Sequence, residues 1–234
     1  MTKKWLPLES NPEVMSEFAQ QLGLDTSQWR FHDVYGLDPE LLAMVPQPVA
    51  AVLMLFPLTE ESEKAQKLQE EEMKGQAQAI DEKVWFTKQT ISNACGTVGV
   101  LHAIGNNLER LPIQEGSFFA RFFASVAHMD PKERARFLED PPQGAPDIED
   151  AHAAAASSGQ TRPPAEGEEV LLHFVAFVQV NDRLYELDGR KIAPVDHGPT
   201  SASTLLQDSA RVVRTFMERA NSINFNLIAL ATSG

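Results

Sequence analysis

Two stretches of this chain, PVAAVLMLFP (48–57) and VLLHFVAFVQV (170–180), are apolar on odd and even positions alike. A strand with one face in water alternates apolar and polar residues, because successive side chains point to opposite sides. Strands without that alternation need cover on both faces, so these runs require a sheet with helices packed above and below it. Both are far shorter than the roughly 18 apolar residues that cross a bilayer, so neither is a membrane segment. Apolar residues recur at helical spacing in 11–24 (Val14, Phe18, Leu22), where Asn11-Pro12 supplies a cap and a first turn. Further helices are read at 38–45, 93–107, 117–128, 130–140 and 202–220. Strands are read at 48–57, 170–180, 183–187 and 225–231, the second and third joined by Asn181-Asp182. The expected fold class is α/β: one domain over residues 1–234, with a central mixed, largely antiparallel sheet and helices on both faces.

Lysine and arginine number 20 against 33 aspartates and glutamates, a formal charge of −13. Such a surface repels a phosphate backbone, whose non-specific affinity comes from lysine and arginine displacing counterions, so nucleic acid is not an expected partner. It would steer a basic protein partner, or serve solubility alone. With one cysteine in 234 residues no intramolecular disulfide can form, which fits a reducing compartment, cytoplasmic and also nuclear. The opening MTKKWLPLESNPEV has no apolar core and no small-residue cleavage site, so it does not read as a secretory signal. A monomer is expected. Residues 59–83 are charge-rich and read as a solvated helix or a connection. Residues 141–169, with five prolines and three glycines, read as a long flexible loop, and loops of that length inside a domain tend to be functional.

That single cysteine, Cys95, stands in QTISNACGTVGVLHAIGN (89–106), where an amphipathic helix is expected to begin. Cysteine attacks as thiolate, and unpaired N–H groups at a helix N-terminus favour that negative charge. A free cysteine is also often just a small buried hydrophobe. His173 changes the weighing, because an imidazole within an apolar run must find a polar partner. Asp188 in YELDGR is brought back alongside it by the 180–183 hairpin, and could fix the tautomer while the other ring nitrogen takes the thiol proton. Gln89 could aim its amide at the oxyanion formed when a carbonyl is attacked. His32, His102, His128, His152 and His197 show no ligand spacing, and neither phosphate-binding glycine motif occurs, so no metal and no cofactor are expected.

WLPLESNPEV (5–14), DVYGLDPELLAMVPQPVAAVLMLFP (33–57), KQTISNACGTVGVLHAI (88–104), ERARFLE (133–139), LYELDGRK (184–191), His197-Gly198, FMER (216–219) and FNLIAL (225–230) together closely resemble the short ubiquitin carboxyl-terminal hydrolases. The likeness runs from end to end and is strongest to the single-domain isozyme type that also acts on a ubiquitin-like modifier. It implies a papain-like cysteine protease core with a knotted backbone. It also implies Cys95 as nucleophile, His173 as base and then acid, Asp188 as its orienting carboxylate and Gln89 as oxyanion donor. The implied reaction is hydrolysis after the C-terminal glycine of ubiquitin, or of a close ubiquitin-like modifier, through an acyl-enzyme. Small adducts, short peptides or precursors would be released. Trp5, Pro7, Leu8, Glu9, Glu13 and Asp33 are the implied ubiquitin contacts, and 141–169 corresponds to the family's active-site crossover loop. The acidic residue that relatives carry before the last strand is here Ser222. Two other readings stand beside this one: a ubiquitin-binding protein that stabilises free ubiquitin with little turnover, and a general papain-like protease.

Overall fold

The two doubly apolar runs lie side by side near the middle of one sheet. The computed structural model describes residues 3–75, 79–160, 168, 170–220 and 222–234. Among them six strands, β1 (Trp29–Asp33), β2 (Val49–Pro57), β3 (Leu172–Val180), β4 (Arg183–Leu187), β5 (Val195–Pro199) and β6 (Asn226–Thr232), are ordered β1-β6-β2-β3-β4-β5. All five pairings are antiparallel, so the parallel part of the expected mixed sheet is not found among these strands. The helices are α1 (Pro12–Gln21), α2 (Pro39–Leu42), α3 (Glu60–Gly75), α4 (Cys95–Gly105), α5 (Phe118–Ser125), α6 (Pro131–Glu139), α7 (Glu149–Ser158) and α8 (Leu205–Ala220).

The absence of alternation in β2 and β3 has the expected cause. Ala51, Leu53, Phe174, Ala176 and Val178 join the apolar core that contains α1, α4 and α5. Val52, Met54, Phe56, Val175 and Phe177 join the second core, under α2 and α8. Each buried valine, leucine or phenylalanine contributes about 1.5–3 kcal/mol relative to exposure, so losing either layer of helices would strand a face of the sheet. Helix starts follow local chemistry. Asn11 accepts from the N–H groups of Glu13 and Val14, and Asp130 with Glu133 forms a reciprocal capping box on α6. Asn181 and Asp182 turn β3 into β4 with φ of 46° and 59°, the left-handed pair that a two-residue hairpin needs and that short polar side chains tolerate.

Three expectations are corrected. α4 is not amphipathic: every residue from Cys95 to Ile104 is buried, as befits a sequence with no polar stripe. The stretch 141–169 is not one flexible loop, since α7 occupies part of it and buries His152 and Ala155; residues 161–167 and 169 lie outside the described residues. α3 is the helix read within 59–83, but one of its faces is docked, as set out below. Among the described residues no helix is long and apolar enough to cross a membrane.

Candidate active site

α4 starts at Cys95, and the first N–H groups of a helix have no partner within it. Ala94 at the cap supplies no side-chain acceptor, so the positive end of the helix faces the thiol's surroundings. Cys95 is enclosed, with 8% of its surface exposed. β3 carries His173, whose ring meets the edge of Phe56 at 5.7 Å and whose protonated form nearby Cys95 favours. Asp188 follows β4 directly. The hairpin register, with Ala176 opposite Leu187, returns it to His173, and its Oδ1 accepts from His173 Nε2 at 2.7 Å. A carboxylate only accepts, so Nε2 carries hydrogen and Nδ1 is left for the thiol.

Burial disfavours an imidazolium at His173, but the charge and hydrogen bond of Asp188, together with Cys95, outweigh it and raise its pKa to about 9. Burial likewise disfavours the Asp188 carboxylate, yet His173, Lys191 and the Arg190 N–H hold it down to about 2. At neutral pH the proton therefore sits on the ring, between two anion-forming groups. The carboxylate has further donors: Arg190 N–H reaches Oδ1 at 2.9 Å, and Gln66 Nε2, from α3, reaches Oδ2 at 3.1 Å.

Gln89 is tied to the same turn, its N–H donating to the Gly189 carbonyl at 3.0 Å. Nε2 donates to Ile91 O at 3.2 Å, while the buried Oε1 has no protein partner. An amide nitrogen carries two hydrogens, so one remains for another acceptor. A Cβ on Gly189 would lie 2.9 Å from Gln89 Cβ and 3.0 Å from Val98 Cγ1, so the close approach of these two segments requires glycine. Lys88 Nζ also donates to the carbonyls of Arg190 and Lys191. Beneath the strand-like approach to Gln89, His102 stacks on Phe86 at 5.1 Å and accepts the Thr87 N–H, its pKa lowered to about 4 by burial. The structure thus brings Cys95, His173, Asp188 and Gln89 into one cluster of contacts.

The six residues assigned above to partner contact divide. Trp5 and Leu8 belong to the core: Trp5 packs at a tilt against His152 with ring centroids 4.2 Å apart and donates to Glu149 at 3.3 Å, because the N-terminal segment is laid against α4 and α7. Pro7 and Glu9 are half-buried, the latter accepting from Asn11 Nδ2 at 3.4 Å. Glu13 is exposed in the first turn of α1, and Asp33 ends β1 opposite Ile228. Among the described residues no group of three or more His, Cys, Asp or Glu could hold a metal ion. Gln66 and His152 were missed in the sequence, since each makes its contact across a long stretch of chain and stands in no motif, while Lys88 stands in the 88–104 stretch but its contact with residues 190 and 191 was not read from it.

A thiol, an imidazole and a carboxylate in contact, with a glutamine six residues before the thiol, invite comparison with known hydrolases. Residues 5–218 match the model of the family described as ubiquitin carboxyl-terminal hydrolase, family 1. The chain belongs to that family. As a family 1 member it is a cysteine-type hydrolase. It is 49% identical over 231 residues to ubiquitin carboxyl-terminal hydrolase 3 of Arabidopsis thaliana, covering 98% of this chain and 95% of that one. To ubiquitin carboxyl-terminal hydrolase isozyme L1 of Homo sapiens it is 44% identical over 225 residues, 96% of each. Its fold is similar to the catalytic domain of Trichinella spiralis UCH37 solved with ubiquitin vinyl methyl ester. The TM-score is 0.74 and the identity 21%, over 98% of this chain and 96% of that one.

Proposed function

We propose that this chain hydrolyses the bond after the C-terminal glycine of ubiquitin, and of a close ubiquitin-like modifier, releasing small adducts, short peptides or precursor tails. The observation that carries this reading is the His173–Asp188 contact of 2.7 Å with Cys95 on the same ring, in a chain of this family. The names of its relatives support the substrate.

The Cys95 sulfur attacks the glycine carbonyl carbon, forming the S–C bond as the π pair moves to oxygen. The backbone N–H of Cys95 and the second N–H of Gln89 donate to that oxyanion, which in comparable sites is worth about 3 kcal/mol per donor. Collapse breaks the C–N bond, and His173 passes its Nδ1 proton to the leaving amine. Water then attacks the thioester while His173 takes its proton, and the sulfur leaves with its electron pair. Asp188 keeps the ring oriented throughout and stabilises its charge whenever Nδ1 carries a proton.

The test is fluorophore release from a ubiquitin C-terminal amide by the wild type and Cys95→Ala, with ubiquitin binding measured for both. Release that vanishes in the variant while binding persists is expected. Tight binding without release by the wild type would overturn the reading in favour of a ubiquitin-holding protein.

A further inference from the structure

α3 is among the most polar elements of the chain, yet its inner face carries polar groups to one short turn. Glu63 Oε1 accepts from Arg190 at 2.7 Å, Gln66 donates to Asp188 at 3.1 Å, and Gln69 Oε1 accepts from Lys191 at 2.6 Å. Residues three apart share a helix face, so one docking event delivers all three contacts to residues 188–191. The two oxygens of Asp188 are then divided. Oδ1 serves His173 and the Arg190 N–H, and Oδ2 receives Gln66.

We infer that Gln66 is a positioning residue: from α3 it fixes the plane of the Asp188 carboxylate, so that Oδ1 stays on His173 and the ring keeps the proton taken from Cys95. A carboxylate held on one oxygen alone can turn about its Cβ–Cγ bond and exchange its oxygens. A donor on the second oxygen stops that rotation, as outer hydrogen bonds do for metal-bound and catalytic carboxylates. Gln66 is neutral, so it orients Asp188 without competing for its charge. The other groups that face Asp188 come from elsewhere: the charges of His173 on β3 and Lys191 in its own turn, the Arg190 backbone N–H, Lys88 before Gln89, and the neutral ring of His102 on α4. Glu63 and Gln69 reinforce the same docking, since Arg190 and Lys191 flank the carboxylate in sequence.

The inference rests on the proposed hydrolysis only for its turnover measurement. In the full chain, Gln66→Leu removes the donor at similar volume, and Gln66→Glu keeps the shape but turns an acceptor toward Asp188 at neutral pH. Two readouts are taken: kcat and KM on the ubiquitin amide across pH, and alkylation of Cys95 by iodoacetamide, which needs no ubiquitin. Gln66→Leu should lower kcat about tenfold with KM unchanged, the effect of one hydrogen bond to a charged group. The alkaline limb of its activity should move down from about pH 9, where His173 loses its proton. Gln66→Glu should lose more than Gln66→Leu, and alkylation near neutral pH should slow in the same order. Wild-type behaviour of both variants would overturn the inference, as would equal losses in both with the alkaline limb unmoved, which marks mere packing. If the wild type fails on the ubiquitin amide while the alkylation order holds, the substrate reading falls and the role of Gln66 stands.

Discussion

At Asp188 burial and charge oppose each other, and the outcome sets the pH behaviour of the site. Its carboxyl, held at about 2 against an ordinary 3.8, adds stability that is complete above 3.8 and lost as pH falls through 2. His173, at about 9 against 6.5, adds stability that is complete below 6.5 and lost as pH rises through 9. Asp188→Asn keeps the shape and removes the charge. Its thermal midpoint should fall furthest below that of the wild type between pH 3.8 and 6.5, with the gap closing above pH 9. Its kcat should drop about a hundredfold or more, since the imidazolium loses its anchor. Gly189→Ala tests the neighbouring contact. The added methyl meets Gln89 and Val98, and strain of about 1–3 kcal/mol should appear as lost kcat with Cys95 alkylation preserved, because the displaced group is the proposed oxyanion donor and not the proposed base. The cluster was legible in the sequence at four residues. Cys95, His173, Asp188 and Gln89 stand in distinctive local contexts, whereas Gln66 sits in a run of glutamate, lysine and glutamine that is indistinguishable from any solvated helix face.

Among the elements, legibility followed burial on two sides. β2, β3 and β6 announce themselves as apolar runs, while β1 and β5 at the sheet edges mix in Arg30, His32, Asp196 and His197, pair on one side only and went unread. α7 was hidden for a different reason. Alanine and serine give it little apolar signal, and among its side chains His152 makes the most specific buried contacts. His152 Nε2 donates to the Leu6 carbonyl at 2.8 Å, Thr97 Oγ1 donates to Nδ1 at 2.7 Å, and the ring lies on Trp5. His152→Ala should therefore loosen two segments at once. Amide hydrogen exchange in α7 and in residues 4–8 should accelerate together by about thirtyfold, corresponding to roughly 2 kcal/mol of lost hydrogen bonding and contact. Acceleration in α7 alone would mean that the N-terminal segment is held by other groups. Burial lowers the pKa of His152, so the neutral ring is the one that docks.

For the molecule as a whole, the charge of −13 favours encounter with a basic partner. If that partner is ubiquitin, kcat/KM on a ubiquitin amide should fall as salt rises, while alkylation of Cys95 by uncharged iodoacetamide stays constant. Equal salt dependence of both would place the effect inside the site. The order of strands has a consequence of another kind. β6, residues 226–232, is wedged between β1 and β2, and every one of its neighbours was made near the start of the chain. A nascent chain of some 220 residues therefore carries a central strand, β2, that still lacks a partner on one side. β1 and β2 wait for a segment made long after both of them. Nascent chains stalled before residue 226 should stay sensitive to protease and bound to chaperones, and chains extended far enough past β6 to free it from the ribosome should not.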